Sequence, residues 1–139
     1  MIDYILAFII LWIISFMVHE FGHVFGAMLS GGKADIKIWN YKGIPSMMTV
    51  PYGTINKFLF DIFGGLLPAI MFTVLALISG YSTLRYSFVT IAFIQYAYAI
   101  YETLLINKLP RDEYMKYHYV LYLVVGVIAT VLYYLLVGF

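Results

Sequence analysis

Four long apolar runs separated by short polar segments dominate the hydropathy pattern of this chain. They cover residues 4–29, 58–79, 85–106 and 117–138, to within a few positions. Each run is long enough to cross a bilayer as a helix, which takes about 20 residues. The pattern predicts an all-α membrane protein with four transmembrane helices, formed as a single membrane-embedded domain over residues 1–139.

The segment between the first two runs, near residues 33–56, has a different pattern. Ile36 and Ile38 alternate with polar residues, and a second β-prone stretch follows at 46–52. A period of two is typical of a half-buried strand, so we expect a short β-hairpin that turns at Lys42-Gly43. An irregular surface loop fits the same periodicity. In a hairpin, an edge strand could hold an extended peptide by main-chain hydrogen bonds.

Composition supports membrane insertion and excludes several kinds of function. The chain is 64% hydrophobic and 11% charged, with a mean hydropathy of +0.94, which is too apolar for a soluble domain of this size. Because cysteine is absent, a metal ion must be bound by His, Asp or Glu. A net charge of +1 argues against nucleic acid as a partner, since no basic face is available to neutralise phosphates.

The first run contains the sequence His19-Glu20-Phe21-Gly22-His23. On a helix, residues four apart lie on the same face, so His19 and His23 can direct imidazole nitrogens at one metal ion. Glu20 lies beside them and can act as a base on a metal-bound water. Zinc suits two neutral imidazoles, a third protein ligand and one open position.

The same short pattern also arises by chance in soluble proteins. Inside a membrane span, however, each ionisable residue costs a few kcal/mol, so such residues are rare there and usually functional. The alternative interpretation gives these side chains a role in helix packing or in hydrogen bonds between helices. We favour the metal site.

Two further stretches complete the candidate chemistry. In the second run, the glycines of residues 63–68 predict close helix packing, and Pro68 predicts a backbone carbonyl released from the helical ladder. The most polar stretch, residues 107–113, is the place to look for a third metal ligand, and it contains Asp112 and Glu113. On local pattern alone these acids also fit an ordinary helix start.

The basic residues are distributed unevenly among the loops. Seven of the eight Lys and Arg residues follow or border the first and third runs, and only Arg85 lies on the other side. By the positive-inside rule, the basic loops face the cytoplasm and both termini lie on the opposite side. This topology brings His19, His23 and Asp112 to the same membrane face. The seven residues are Lys33, Lys37, Lys42, Lys57, Lys108, Arg111 and Lys116.

Over nearly its whole length the chain resembles the site-2 protease family of intramembrane zinc metalloproteases, in a minimal form without an accessory domain. The motif His19–His23, with the glycines after it, is similar to the family's first motif and the hairpin beyond it. Residues 63–68 (Phe-Gly-Gly-Leu-Leu-Pro) are similar to its Gly-Pro-rich second-helix motif, without the Gly-Pro order or the following Asn. Residues 107–110 (Asn-Lys-Leu-Pro) look like the Asn-x-x-Pro before its third ligand, but residues 111–113 are Arg-Asp-Glu where the family has Leu-Asp-Gly.

The resemblance implies roles for individual residues. It implies a Zn²⁺ cofactor with Asp112 as the third ligand, ahead of Glu113. Glu102 and His118 are further alternatives; Glu102 would ligate the metal or orient a histidine if it faces inward. Asn107 would hold the substrate backbone or the developing oxyanion.

The implied reaction is hydrolysis of a peptide bond in or near a transmembrane segment of a protein substrate within the lipid bilayer. Glu20 would activate the zinc-bound water. A related peptidase that cuts loops or small peptides at the interface is a close alternative. A catalytically inactive membrane adaptor or assembly factor that retains the zinc-site scaffold is the alternative from another class, although such a scaffold has no need of a base such as Glu20.

Overall fold

The computed structural model describes residues 2–41, 44–105, 120, 123–128, 131–132 and 135. It is mostly helical, with three helices long and apolar enough to cross a membrane and one two-stranded hairpin. The predicted mostly helical fold, with helices over the first three apolar runs and a hairpin between the first two, is therefore confirmed. The elements in chain order are α1 (Ile2–Leu29), β1 (Lys33–Tyr41), β2 (Ile44–Tyr52), α2 (Lys57–Ile78) and α3 (Ser82–Leu105).

The predicted fourth span, 117–138, is described only in part. Helical residues are present at 120, 123–128, 131–132 and 135, and Val125 packs against the hydrophobic core. The rest of that span lies outside the described residues, as does the predicted turn at Lys42-Gly43. The third helix begins at Ser82 rather than at the predicted residue 85, so the connection from α2 is shorter than expected.

The helix ends follow from local backbone chemistry. After α1, Gly31 adopts a φ of 80°, a left-handed conformation that glycine takes without steric cost. This turn lets the Gly32 N–H donate to the Ala27 carbonyl at 3.0 Å, which closes the helix as the glycines predicted. At the start of α2, the Asn56 side chain caps the helix by accepting from the Leu59 N–H at 3.3 Å.

Glycines bring the helices into backbone contact. A Cβ atom at Gly22 or Gly26 of α1 would collide with the backbone of α2, at Phe63 and Leu59 respectively. A Cβ atom at Gly65 of α2 would collide with the α3 backbone at Ala99. The predicted close approach of the helices is thus confirmed, and it holds α1, α2 and α3 in one fixed arrangement.

The hydrophobic core lies in the half of the bundle away from the hairpin. It is formed by Phe72 of α2 together with Ile91, Ile94 and Tyr98 of α3, and side chains of α1 such as Trp12 pack against it. The opposite side of α1 exposes a series of large apolar residues, which suits contact with lipid tails. These residues include Ile5, Leu6, Ile9, Ile10, Ile13, Ile14 and Met17.

The hairpin is antiparallel, with Lys33 opposite Tyr52 and Ile36 opposite Thr49. Residues directly opposite each other share one face of a sheet. On the exposed face, the Tyr52 hydroxyl donates to the Asp35 carboxylate, and this hydrogen bond raises the pKa of the Tyr52 phenol. The ordered strand pairing rules out the irregular loop over these residues.

Candidate metal centre

The two histidines of α1 face each other in the interior of the bundle. His19 is 3% and His23 is 9% exposed, and their ring centroids are 4.8 Å apart at an interplanar angle of 86°. The two Nε2 atoms are separated by 3.2 Å. The helical spacing of four residues therefore brings both imidazoles to one site, as the sequence predicts.

Glu102 of α3 completes this group from across the bundle. Its side chain is 2% exposed, with Oε1 at 3.2 Å from His19 Nε2 and Oε2 at 3.5 Å from His23 Nε2. One ligand atom from each of the three residues lies within 4.8 Å of the other two. The group could hold a metal ion.

The outer nitrogen of each imidazole is occupied by a separate hydrogen bond. His23 Nδ1 is 2.7 Å from the Phe60 carbonyl oxygen, and His19 Nδ1 is 3.3 Å from Gln95 Oε1. Because both oxygens can only accept, each Nδ1 carries the hydrogen of the neutral imidazole. In this neutral form each Nε2 would direct a lone pair toward the centre of the group, as a metal requires, whereas a protonated His19 would donate from Nε2 to the Glu102 carboxylate.

The arrangement fits a cation. Two imidazole nitrogens and a carboxylate meet at a buried point, and with neutral imidazoles and an ionised Glu102 a cation placed among them would be attracted to all three. Ligand atoms placed tetrahedrally about 2.0–2.1 Å from zinc are about 3.3 Å apart. The two Nε2 atoms are 3.2 Å apart, close to this value, and one ligand atom from each of the three residues lies within 4.8 Å of the others. Histidine and carboxylate are also ligands that suit a divalent transition metal.

The second helix provides the pocket for His23. The imidazole stacks on the Phe60 ring at 4.7 Å and lies where a Cβ atom of Gly64 would be. Only glycine leaves this space. Pro68, four residues later and buried inside α2, has no N–H to donate to the Gly64 carbonyl. The carbonyl whose release was predicted therefore belongs to the glycine that contacts His23.

Glu20 occupies a different environment from its two neighbours. Its side chain is half-buried and is not part of the three-residue group. The Thr49 hydroxyl of β2 lies 2.7 Å from Glu20 Oε2 and 3.0 Å from the Glu20 carbonyl oxygen. The candidate base therefore lies between the helical bundle and the hairpin.

The structure brings together His19, His23 and Glu102, which was one of the open alternatives for the third ligand. Asp112, the favoured third ligand, lies outside the described residues, as does Asn107, for which substrate binding is expected. Both roles stay predictions. The other two ligand candidates, Glu113 and His118, also lie outside them.

Sequence reasoning missed the roles of Gln95 and Thr49. A signal for Gln95 was present, because it precedes Glu102 by two helical turns in an apolar span, so both polar side chains share one face. No local pattern distinguishes Thr49 from the other polar residues of the hairpin.

Comparisons with family models, with curated proteins and with solved structures find no match to this chain.

Proposed function

We propose that this protein is a membrane-embedded zinc peptidase in which His19, His23 and Glu102 hold the metal and Glu20 is the general base. The observation that supports it best is the buried convergence of two Nε2 atoms and a carboxylate, one residue away from a half-buried glutamate. Zinc is the proposed metal because it accepts imidazole and carboxylate ligands in an open four-coordinate site.

When bound, zinc supplies a Lewis acid that lowers the pKa of a water and polarises the scissile carbonyl. The protein's own residues supply the rest of the chemistry. The Glu20 carboxylate accepts a proton from the attacking water and passes it to the leaving amine nitrogen. His19 and His23 keep their lone pairs directed inward because Gln95 and the Phe60 carbonyl hold their outer N–H groups.

The proposed substrate is a transmembrane segment of another protein. Such a segment must unwind before its peptide bond can be attacked, and the released N–H and C=O groups then need partners. The outer edge of β1 (Lys33–Tyr41) suits this need, since it contains no proline. β2 is less suitable because Pro45 and Pro51 cannot donate.

The proposed topology has four spans, with the basic loops and the metal site on the cytoplasmic side and both termini on the opposite side. Lysines of the hairpin such as Lys33 and Lys37 are exposed, as expected of residues near an anionic leaflet. Water reaches Glu20 from this side.

The test combines metal content with cleavage. Protein purified in mild detergent without added metal is expected to contain about one zinc ion per chain. It should cleave a fluorescence-quenched peptide with one apolar span of about 20 residues that is interrupted by Gly and Pro. Glu20→Gln should keep the zinc and lose cleavage by at least about 100-fold, at the scale of general base catalysis.

Asp3→Asn is the matched control, because it makes the same carboxylate-to-amide change at an exposed position of α1. Cleavage by Glu20→Gln at the wild-type rate would exclude the proposed mechanism. Absence of zinc even after zinc is supplied would exclude the metal site.

One observation favours a second function, that of a membrane adaptor with a structural zinc ion. All three ligands are almost fully buried, as in closed structural sites. In that case wild type binds zinc and cleaves nothing, and Glu20→Gln has no effect on any activity of the protein.

A further inference from the structure

One polar side chain interrupts the apolar face of the hairpin. Over residues 34–38 of β1 and 47–51 of β2, this face carries six side chains, and the only polar one is Thr49. Register is set by such a face, so a hydroxyl in this position is not required for strand pairing. Thr49 is nevertheless only 8% exposed and points at α1.

The Thr49 hydroxyl has one hydrogen and two acceptors within reach, both on Glu20. Oε2 is at 2.7 Å and the backbone carbonyl oxygen at 3.0 Å. The carbonyl already accepts the helical N–H four residues on, whereas a bond to a carboxylate is charge-assisted and stronger. The hydrogen therefore goes to Oε2. Because the same hydroxyl also lies 3.0 Å from the Glu20 carbonyl oxygen, the carboxylate it binds lies close to its own helix.

We propose that Thr49 is a positioning residue that fixes the orientation of the Glu20 carboxylate, so that correct docking of β2 on α1 is a condition for the base to act. This inference rests on the proposed role of Glu20. The orientation is not determined by α1 alone, because a glutamate side chain on a helix surface has several rotamers and the Thr49 hydroxyl is hydrogen-bonded to one of them.

A vibrational measurement tests the hydrogen bond without any substrate. The infrared difference spectrum between wild type and Glu20→Gln isolates the Glu20 carboxyl stretching bands. The same difference taken in the Thr49→Val background should show these bands shifted, since Val has the shape of Thr and no hydroxyl. In the Thr49→Ser background the bands should stay at the wild-type position. Unshifted bands in the Val background overturn the proposal.

A kinetic measurement tests the consequence. Thr49→Val should lower kcat for the fluorescence-quenched peptide by about 10- to 100-fold, the scale of a hydrogen bond to a charged group, with KM changed less. Thr49→Ser should restore most of kcat. Thr54→Val, at an exposed position after β2, is the matched control and should leave kcat unchanged.

The two proposals fail in different ways. If wild type binds zinc but cleaves nothing, while the Glu20 bands shift in the Thr49→Val background, the peptidase is contradicted. Thr49 then remains the residue that orients Glu20. A cleaving wild type whose Thr49→Val variant has unchanged kcat contradicts the role of Thr49 alone. Equal losses of kcat in Thr49→Val and Thr49→Ser would show that packing, not the hydroxyl, matters, and would also overturn the inference.

Discussion

The candidate metal group and the candidate base differ in how they are held, although His19 and His23 flank Glu20 in sequence. His19, His23 and Glu102 lie inside the bundle, and each histidine is fixed by a further hydrogen bond from α2 or α3. Glu20 lies at the edge of the bundle, where a single hydroxyl from the hairpin contacts its carboxylate. One region is built by three helices, the other by one helix and one strand.

In the proposed peptidase, metal binding and reaction would therefore depend on different parts of the molecule. Substitutions inside the bundle should remove the metal, because they disturb ligands that have no freedom to adjust. Substitutions at Glu20 or Thr49 should leave the metal in place and change the rate.

The largest effect is expected for Glu102→Gln. The amide is a weaker ligand and brings no charge to compensate that of the metal, so zinc affinity should fall by more than about 100-fold, since even an outer hydrogen-bond partner of a ligand is worth about 10- to 100-fold. Zinc content after dialysis against a graded series of chelator concentrations measures this loss, with Asp3→Asn as the control.

Asp112→Ala is the informative companion variant. If Glu102→Gln keeps its zinc while Asp112→Ala loses it, the third ligand is the one that the family resemblance implies. The buried Glu102 carboxylate would then act on the histidines rather than on the metal.

A smaller effect is expected for Gly64→Ala. The added methyl group would lie where the His23 imidazole is, and the ring would have to leave its position against α2. Overpacking of this kind costs about 1–3 kcal/mol, which corresponds to a loss of zinc affinity of up to about 100-fold if the strain falls on His23. Gly80→Ala is the matched control, because a methyl group there meets open space. Equal affinity in the two variants would show that the bundle opens easily around His23.

The smallest effect is expected for Gln95→Leu. The His19 N–H would lose its acceptor, the imidazole could turn, and zinc affinity should fall by about tenfold, the lower end of the range for such partners. Gln95→Glu keeps an acceptor at the same position and should retain most of the affinity. Titration with zinc in the presence of a competing chelator measures both. A Glu variant as weak as the Leu variant would mean that Gln95 acts by packing rather than by its hydrogen bond.

Much of the fold could be predicted from local pattern. The long apolar runs predicted three helices that the structure describes, the alternation at Ile36 and Ile38 predicted a strand, and the glycines after α1 predicted its end. These features depend on residues close together in sequence, and so local periodicity and glycine chemistry are sufficient to find them.

The partners within the candidate site could be predicted only in part. The pair His19 and His23 follows from helical spacing alone, but the carboxylate opposite them depends on how α3 is rotated against α1. That rotation depends on how both helices pack on α2, through close contacts such as Gly22 against Phe63 and Gly65 against Ala99, which join residues far apart in sequence. Sequence pattern therefore favoured Asp112 in the most polar stretch and left Glu102 as an alternative.

Local sequence pattern is enough to predict membrane-length helices, a hairpin and two histidines able to share one metal ion. Each of these follows from spacing within a single element. The packing of the elements sets the remaining contacts, in which Glu102 and Gln95 face His19 and Thr49 meets the Glu20 carboxylate. These contacts join residues 29 to 83 positions apart, and their geometry depends on the packing of whole elements, which no local pattern contains.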